Sequence, residues 1–210
     1  LGGGVADTLK LFAAGQTKGI FQFEQPGAIS LLKRVQPVRF EEVVATTSLN
    51  RPGASDYIDN FVKRKHGLEQ VELIDDSLAD ILAPTYGIML YQEQVMQISM
   101  KMSGFTAGES DKVRKAVAKK KIKLMQEVVQ HWDDGTDETM EAHWKNGAVR
   151  NGFDRSVAES IWDDVLEFAS YAFNKSHSAG YAILVMQTAW LKAHYPHEYM
   201  AAVLTSFMGK

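Results

Sequence analysis

Seven basic residues and no acid occupy positions 112–123, Lys112-Val-Arg-Lys-Ala-Val-Ala-Lys-Lys-Lys-Ile-Lys123, in a chain of formal net charge -3. Without those seven charges the rest of the chain falls to about -10, so the positive charge is concentrated and not spread. Ammonium and guanidinium groups at this density bind and neutralise oxyanions, phosphates above all. Thr106 and Glu109 have the S/T-x-x-E spacing of a capping box, which predicts a helix that starts near Thr106 and carries the run. On such a helix Val113, Val117 and Leu124 form an apolar stripe. Lys112, Lys115, Lys119 and Lys123 cluster on one flank of it, and Arg114 with Lys121 on the other. Acids at i,i+4 stand only at the ends, Asp111 for Lys115 and Glu127 for Lys123, so the cations between them repel one another. A solvated lysine face is the plain alternative. Tolerated repulsion instead points to a phosphate ligand.

Phe173-Asn-Lys-Ser-His-Ser178 is a second polar constellation, set between two apolar helical stretches where adjacent polar groups are costly unless solvated or employed. Ser176 or Ser178 can cap the helix that follows, and a helix N-terminus beside Lys175 and His177 would be a ready phosphate site. Gln92-Glu93-Gln94 lies in the stretch Tyr86 to Ile98, beside an apolar stripe, and suggests a polar ligand; Met96 and Met100 at helical spacing read as core filler. Arg51 precedes Pro52-Gly53, which holds it on a loop edge or simply makes a turn. His194 and His197 lack a third ligand nearby, and their spacing spans a proline, so they read as surface histidines. The acid pairs Asp75-Asp76, Asp133-Asp134, Asp137-Glu138 and Asp163-Asp164 read as solvated helix ends: no two aspartates are one residue apart, and calcium-loop spacing is absent.

The elements that must position these groups are mostly helical. Thr8–Ala14, Ala28–Arg34, Tyr57–Lys63 and Met89–Met102 repeat apolar residues at three and four, and the fold class is mainly α with at most one or two short strands. Gly19-Ile-Phe-Gln-Phe23 alternates and is the strand candidate. Pro37, Pro52, Pro84 and Pro196 punctuate the helices, and 154–207 reads as two long buried helices broken at Asn174-Lys-Ser176. A hydrophobic content of 45% over 210 residues suffices for one large or two small cores. The absence of cysteine excludes disulfides and thiolate metal sites, and fits a reducing compartment. The first seven residues lack a signal-peptide pattern and read as a linker or a cut end. No apolar stretch is long enough for a membrane span.

Gly19-Ile-Phe-Gln-Phe-Glu24, Arg51-Pro-Gly53, Tyr86-Gly-Ile-Met-Leu-Tyr-Gln-Glu-Gln-Val-Met96, Arg114-Lys-Ala-Val-Ala-Lys-Lys-Lys121 and Phe173-Asn-Lys-Ser-His-Ser178, followed by Leu191-Lys-Ala-His-Tyr-Pro196, stand in an order and spacing of their own. Together they resemble the fingers region of the bacterial replicative C-family DNA polymerases, over nearly the whole chain from Asp7 to Phe207. The resemblance implies 8–105 as an N-terminal fingers segment and 106–210 as the basic helix with the long C-terminal helices. It also implies template-directed DNA synthesis from deoxynucleoside triphosphates (dNTPs), with magnesium held by palm aspartates that lie upstream in the family.

By the same resemblance, Arg114, Lys115 and Lys119 grip phosphates, and Lys175 and His177 belong to the active-site edge of the fingers. Related sequences often carry two arginines where this one has Arg114-Lys115, and lysine lacks the planar bidentate fork. The implied partners are primer-template DNA, dNTPs, the palm and other domains of the same chain, and replisome proteins such as the sliding clamp through other regions, in the cytoplasm at the nucleoid. The piece alone is expected to lack catalysis. A non-enzymatic helical nucleic-acid-binding module is the rival reading, since counterion release alone would explain a basic helix. A structural interaction domain is the third.

Overall fold

The computed structural model describes residues 4–51, 54–119, 128–129 and 131–208. Eleven α-helices appear among them: α1 Val5–Ala14, α2 Pro26–Val35, α3 Phe40–Leu49, α4 Ser55–Lys65, α5 Ala79–Leu82, α6 Gln92–Ser103, α7 Ala107–Ala118, α8 Met140–Arg150, α9 Arg155–Phe168, α10 Lys175–His194 and α11 Pro196–Phe207. One antiparallel ribbon joins β1 Val128–Val129 to β2 Glu138–Thr139, with Val128 opposite Thr139. The chain is mainly α. Two units form, Leu1–His66 with Ser176–Lys210, and Gly67–Lys175. The division read at 105/106 falls inside the second unit, and α1 already begins at Val5 within the presumed linker.

The first unit is built on α1 to α4 with α10 and α11. Pro26 opens α2 and Pro196 opens α11, where a missing N–H costs nothing. Phe12 and Phe23 meet edge to face at 5.8 Å in a core that also holds Ile20, Leu32, Val43 and Phe61. Glu42 is buried on α3, where it pairs with Lys65 and accepts the Val38 N–H.

The expected long C-terminal helices differ from the reading in two ways. Pro196 divides the last helical stretch, and neither piece is a buried spine. On α10 only Ser178, Ala182, Val185, Met186 and Ala189 are buried, one stripe at helical spacing, while α11 has no buried residue. Gly19–Phe23 is not a strand. Gly19 and Gln22 take positive φ (80° and 59°), and Ile20 and Phe23 donate their N–H groups to Thr17 and Ile20, which winds the segment into successive turns.

In the second unit α6 packs on α7 and α8, and α8 on α9. Trp144 and Trp162 lie 5.5 Å apart in its core, and the Trp144 indole donates to the Ser99 hydroxyl. Gly147 lets α8 approach α6 closely: a Cβ there would stand 2.3 Å from the Ser103 carbonyl oxygen. The helix expected over Met89–Met102 starts only at Gln92, because Tyr91 is extended (φ -120°, ψ 140°) and serves as its N-cap. Met96 is half-buried and Met100 is 38% exposed, so Val95, Ile98 and Met102 fill the core that those two methionines were expected to fill.

Candidate functional site

The capping box forms as the spacing requires. Thr106 Oγ1 accepts from the Glu109 N–H at 3.2 Å, and Glu109 Oε2 accepts from the Thr106 N–H at 2.8 Å. Helix α7 then buries Val113, Ala116 and Val117 and presents its cations outward. Asp111 gathers two of them. Its carboxylate takes Arg114 Nε at 2.7 Å and Lys115 Nζ at 2.7 Å, so Arg114 bonds one turn back, at i–3, besides the expected i,i+4 pair. Those bonds, from Lys115 first and Arg114 second, hold the Asp111 carboxyl below the usual carboxylate range. Lys112 lies over the Trp132 ring, 4.8 Å from its centroid. Lys119 is the C-cap, exposed, and makes no ion pair among the described residues. Lys121, Lys123, Leu124 and Glu127 lie outside the described residues, as do Pro52 and Gly53.

A buried network behind α7 escaped the sequence reading. Glu109 Oε1 accepts the Asp133 N–H at 3.1 Å and stands 3.6 Å from His143 Nε2. His143 stacks on Trp132 at 4.2 Å and an interplanar angle of 11°. The network ties the first turn of the basic helix to the loop after β1. Thr106 Oγ1 also donates to Asp133, Asp134 accepts from Thr136, and Asp137 accepts the His131 N–H, so these acids are employed in shaping a loop. Asp75 caps a short turn by accepting the Ser77 N–H. Asp163 and Asp164 are not helix ends but lie within α9, where partial burial and then the Glu167 and Asp163 charges push the Asp164 carboxyl up.

Lys175 meets a different pair of residues. The Gln92 N–H donates to the Phe173 carbonyl at 2.9 Å beside a parallel bridge between Tyr91 and Phe173. Glu93 then accepts the Lys175 N–H, at 2.9 Å to Oε2, and the Asn174 amide at 3.0 Å. The Lys175 ammonium lies 5.6 Å from the Tyr91 ring centroid. Two motifs that are separate in sequence are thereby one structure. The α10 N-terminus read as a ready phosphate site already holds a carboxylate. Ser176 and Ser178 lie within α10 and do not precede it; Ser178 is buried and shares a 2.6 Å hydrogen bond with the Ser48 hydroxyl.

His177 belongs to the first unit, whereas Arg114, Lys115, Lys119 and Lys175 belong to the second. Its ring lies 4.4 Å from Tyr181, which stacks on the exposed Phe21 at 5.6 Å and 22°. The Phe21 loop is pinned. Lys192 donates to the Gln16 and Lys18 carbonyls at 2.9 and 2.7 Å, and the Tyr199 hydroxyl donates to Gly19 O at 2.6 Å. Burial pushes the Lys192 ammonium down. Arg51 is exposed at the end of α3, and the His194 ring packs on Trp190 at 4.8 Å. Among the described residues no three His, Asp or Glu side chains converge as a bound metal requires, and no helix is long and apolar enough to cross a membrane.

Comparison with known proteins places these features in a family. The family model for the bacterial DNA polymerase III alpha subunit finger domain matches residues 5–140. A DNA polymerase III subunit alpha of Streptococcus pyogenes is 53% identical over 189 residues, 90% of this chain and 17% of the relative. The Campylobacter jejuni subunit is 45% identical over 199 residues, 94% of this chain and 16% of the relative. That of Vibrio cholerae is 46% identical over 200 residues, 92% and 16%. The chain thus spans about a sixth of the length of the curated relatives it matches.

Proposed function

The chain belongs to the bacterial DNA polymerase III alpha subunit finger domain family, and from that premise we propose that it binds incoming dNTP and primer-template DNA during template-directed synthesis. Phosphoryl transfer asks little covalent chemistry of the protein and much fixed positive charge around the triphosphate. The observation that carries this reading is the outer face of α7, where Arg114 and Lys115 are gathered on one carboxylate and Lys119 stands exposed a turn further on. A triphosphate competes with Asp111 for both cations; it offers more charge and more acceptor oxygens than one carboxylate. Arg114 supplies the planar fork for a phosphate, Lys115 a point charge.

Lys175 adds an ammonium at the start of α10, and His177 an exposed ring beside Tyr181 that suits the edge of a base or sugar. Among the described residues no three His, Asp or Glu side chains converge on a magnesium site. We assign magnesium, and with it catalysis, to palm residues in the remainder of the full-length protein. The same remainder would contact the sliding clamp and other replisome proteins, and the whole would work in the cytoplasm at the nucleoid.

Single-nucleotide incorporation by the full-length polymerase tests the reading. Arg114→Ala is expected to lower kcat/KM for the dNTP at least about tenfold, near 1.4 kcal/mol of transition-state stabilisation. Lys121→Ala should do less. Equal and negligible effects of both substitutions would overturn the assignment. Loss of DNA binding with unchanged dNTP dependence would favour the plain nucleic-acid-binding module.

A further inference from the structure

The geometry points to Glu93 as the positioning residue for Lys175. This inference rests on the proposal that Lys175 meets the incoming nucleotide, and it adds how the ammonium is held ready for that meeting.

Glu93 stands in the first turn of α6, half-buried, 82 residues before Lys175. Both of its oxygens reach the Lys175 backbone N–H, at 3.1 and 2.9 Å, and Oε1 also takes the Asn174 amide at 3.0 Å. The Gln92 N–H to Phe173 O bond at 2.9 Å adds a third anchor one residue earlier. Residues 173, 174 and 175 are therefore each tied to the start of α6. Hydrogen bonds between a carboxylate and a backbone N–H are charge-assisted, and this one also meets the positive end of the α10 dipole.

The direction of the contact matters. A carboxylate beside a lysine ordinarily takes the ammonium, and a lysine paired in that way must break the pair to reach a phosphate. Here Glu93 engages the backbone of Lys175. The side chain is left to lie toward the Tyr91 ring, 5.6 Å away, with no ion pair among the described residues. The ring face attracts the cation weakly and offers it no hydrogen-bond acceptor. Glu93 thus fixes where Lys175 begins, and Tyr91, two residues before Glu93 on the same segment, receives its side chain. The ammonium is preorganised at low cost for an anionic ligand.

Five variants of the full-length polymerase separate the possibilities in steady-state incorporation of one dNTP. E93A is expected to raise KM for the dNTP roughly tenfold while kcat changes much less, the pattern of a lost binding contact. E93Q, whose amide oxygen still accepts the Lys175 N–H, should recover most of that loss. In a K175A background E93A should have no further effect on KM, since the two residues act as one unit. If E93A does not fold, E93D, which keeps the charge but withdraws it by one methylene, replaces it with the same expectation and a smaller KM change. An unchanged KM for K175A would overturn the parent reading of Lys175. A raised KM for K175A with an unchanged KM for E93A and E93D would overturn the role of Glu93 alone. So would an E93A effect of the same size in both backgrounds, because a residue that only supports the fold acts regardless of Lys175.

Discussion

Glu42 and Lys65 form an ion pair of 2.9 Å whose side chains keep only 1% and 7% of their surface exposed. The pair joins α3 to the last residue of α4. Glu42 also accepts the Val38 N–H at 2.8 Å and Arg39 Nε at 3.2 Å, so its carboxylate is held from three directions. Such a pair contributes little against an apolar replacement of both partners, but breaking it from one side strands a buried charge.

Lys65→Met is accordingly expected to destabilise the chain by about 3 kcal/mol, the low end for a broken buried pair because Arg39 and the Val38 N–H remain. Urea unfolding of wild type and variant measures the difference. A loss below about 1 kcal/mol, the range of surface pairs, would show that the pair is solvated in practice.

Gly147→Ala reverses the usual helix rule. Alanine in a helix interior normally gains about 0.5–1 kcal/mol over glycine. At this position the new methyl would stand 2.3 Å from the Ser103 carbonyl oxygen, a backbone atom with no flexible end to yield. The helices α6 and α8 must part, at a cost of about 1–3 kcal/mol. A variant with an unchanged or higher melting temperature would refute the close approach.

How far these features were legible depends on the range over which each is determined. The Thr106–Glu109 box is a matter of four consecutive backbone positions, so spacing alone reveals it. Gly19–Phe23 has the alternation of a strand, but positive φ at Gly19 and Gln22 is a backbone choice that alternation does not encode. Met100 shows the same limit: helical spacing puts it near the stripe, and only the packing of α7 and α8 decides that Met102 is inside. The groupings that matter most are non-local. Glu93 meets Lys175 across 82 residues and Glu109 meets Asp133 across 24, distances at which periodicity is silent. His143 has no motif around it at all, and its stacking partner Trp132 lies on the other side of the ribbon turn. A buried Glu–His contact between the basic helix α7 and α8 is found by folding the chain, not by reading it.

Asp111 provides a test by pH. Hydrogen bonds from Lys115 and Arg114 lower its carboxyl, so its contribution to stability is present above the ordinary value of about 3.9 and is lost as the pH falls through the lower, folded value. The carboxyl carbon followed by NMR should titrate with a midpoint below that ordinary value. Lys115→Ala should move the midpoint upward, whereas Lys119→Ala should leave it in place. A midpoint at or above the ordinary value would mean that Asp111 does not hold the two cations in solution.

The chain by itself is expected to extend no primer when given magnesium and all four dNTPs. Two-metal phosphoryl transfer needs carboxylates that hold both ions about 4 Å apart, and the described side chains offer no such cluster. Robust extension by highly purified chain, free of any full-length polymerase, would sink the division of labour between fingers and palm.

His177 separates a site role from a packing role most cleanly, because it is exposed on a helix and touches an aromatic row instead of a core. In the full-length polymerase His177→Ala should leave the melting temperature nearly unchanged: surface substitutions fall within about 0.5 kcal/mol, and alanine is a good helix former. Incorporation of dNTP should nevertheless fall. A histidine serving only the fold predicts the opposite, a stability loss of about 1–3 kcal/mol with normal turnover per folded molecule. Tyr181 and Phe21 continue the aromatic row beyond His177, stacked at 5.6 Å. If His177 acts by presenting a ring to the nascent base pair, His177→Phe should retain more activity than His177→Ala. If it acts by hydrogen bonding, His177→Gln should retain more. Melting temperature and incorporation rate measured on one preparation decide between site and scaffold, and a marked drop in melting temperature with normal specific activity would remove His177 from the site.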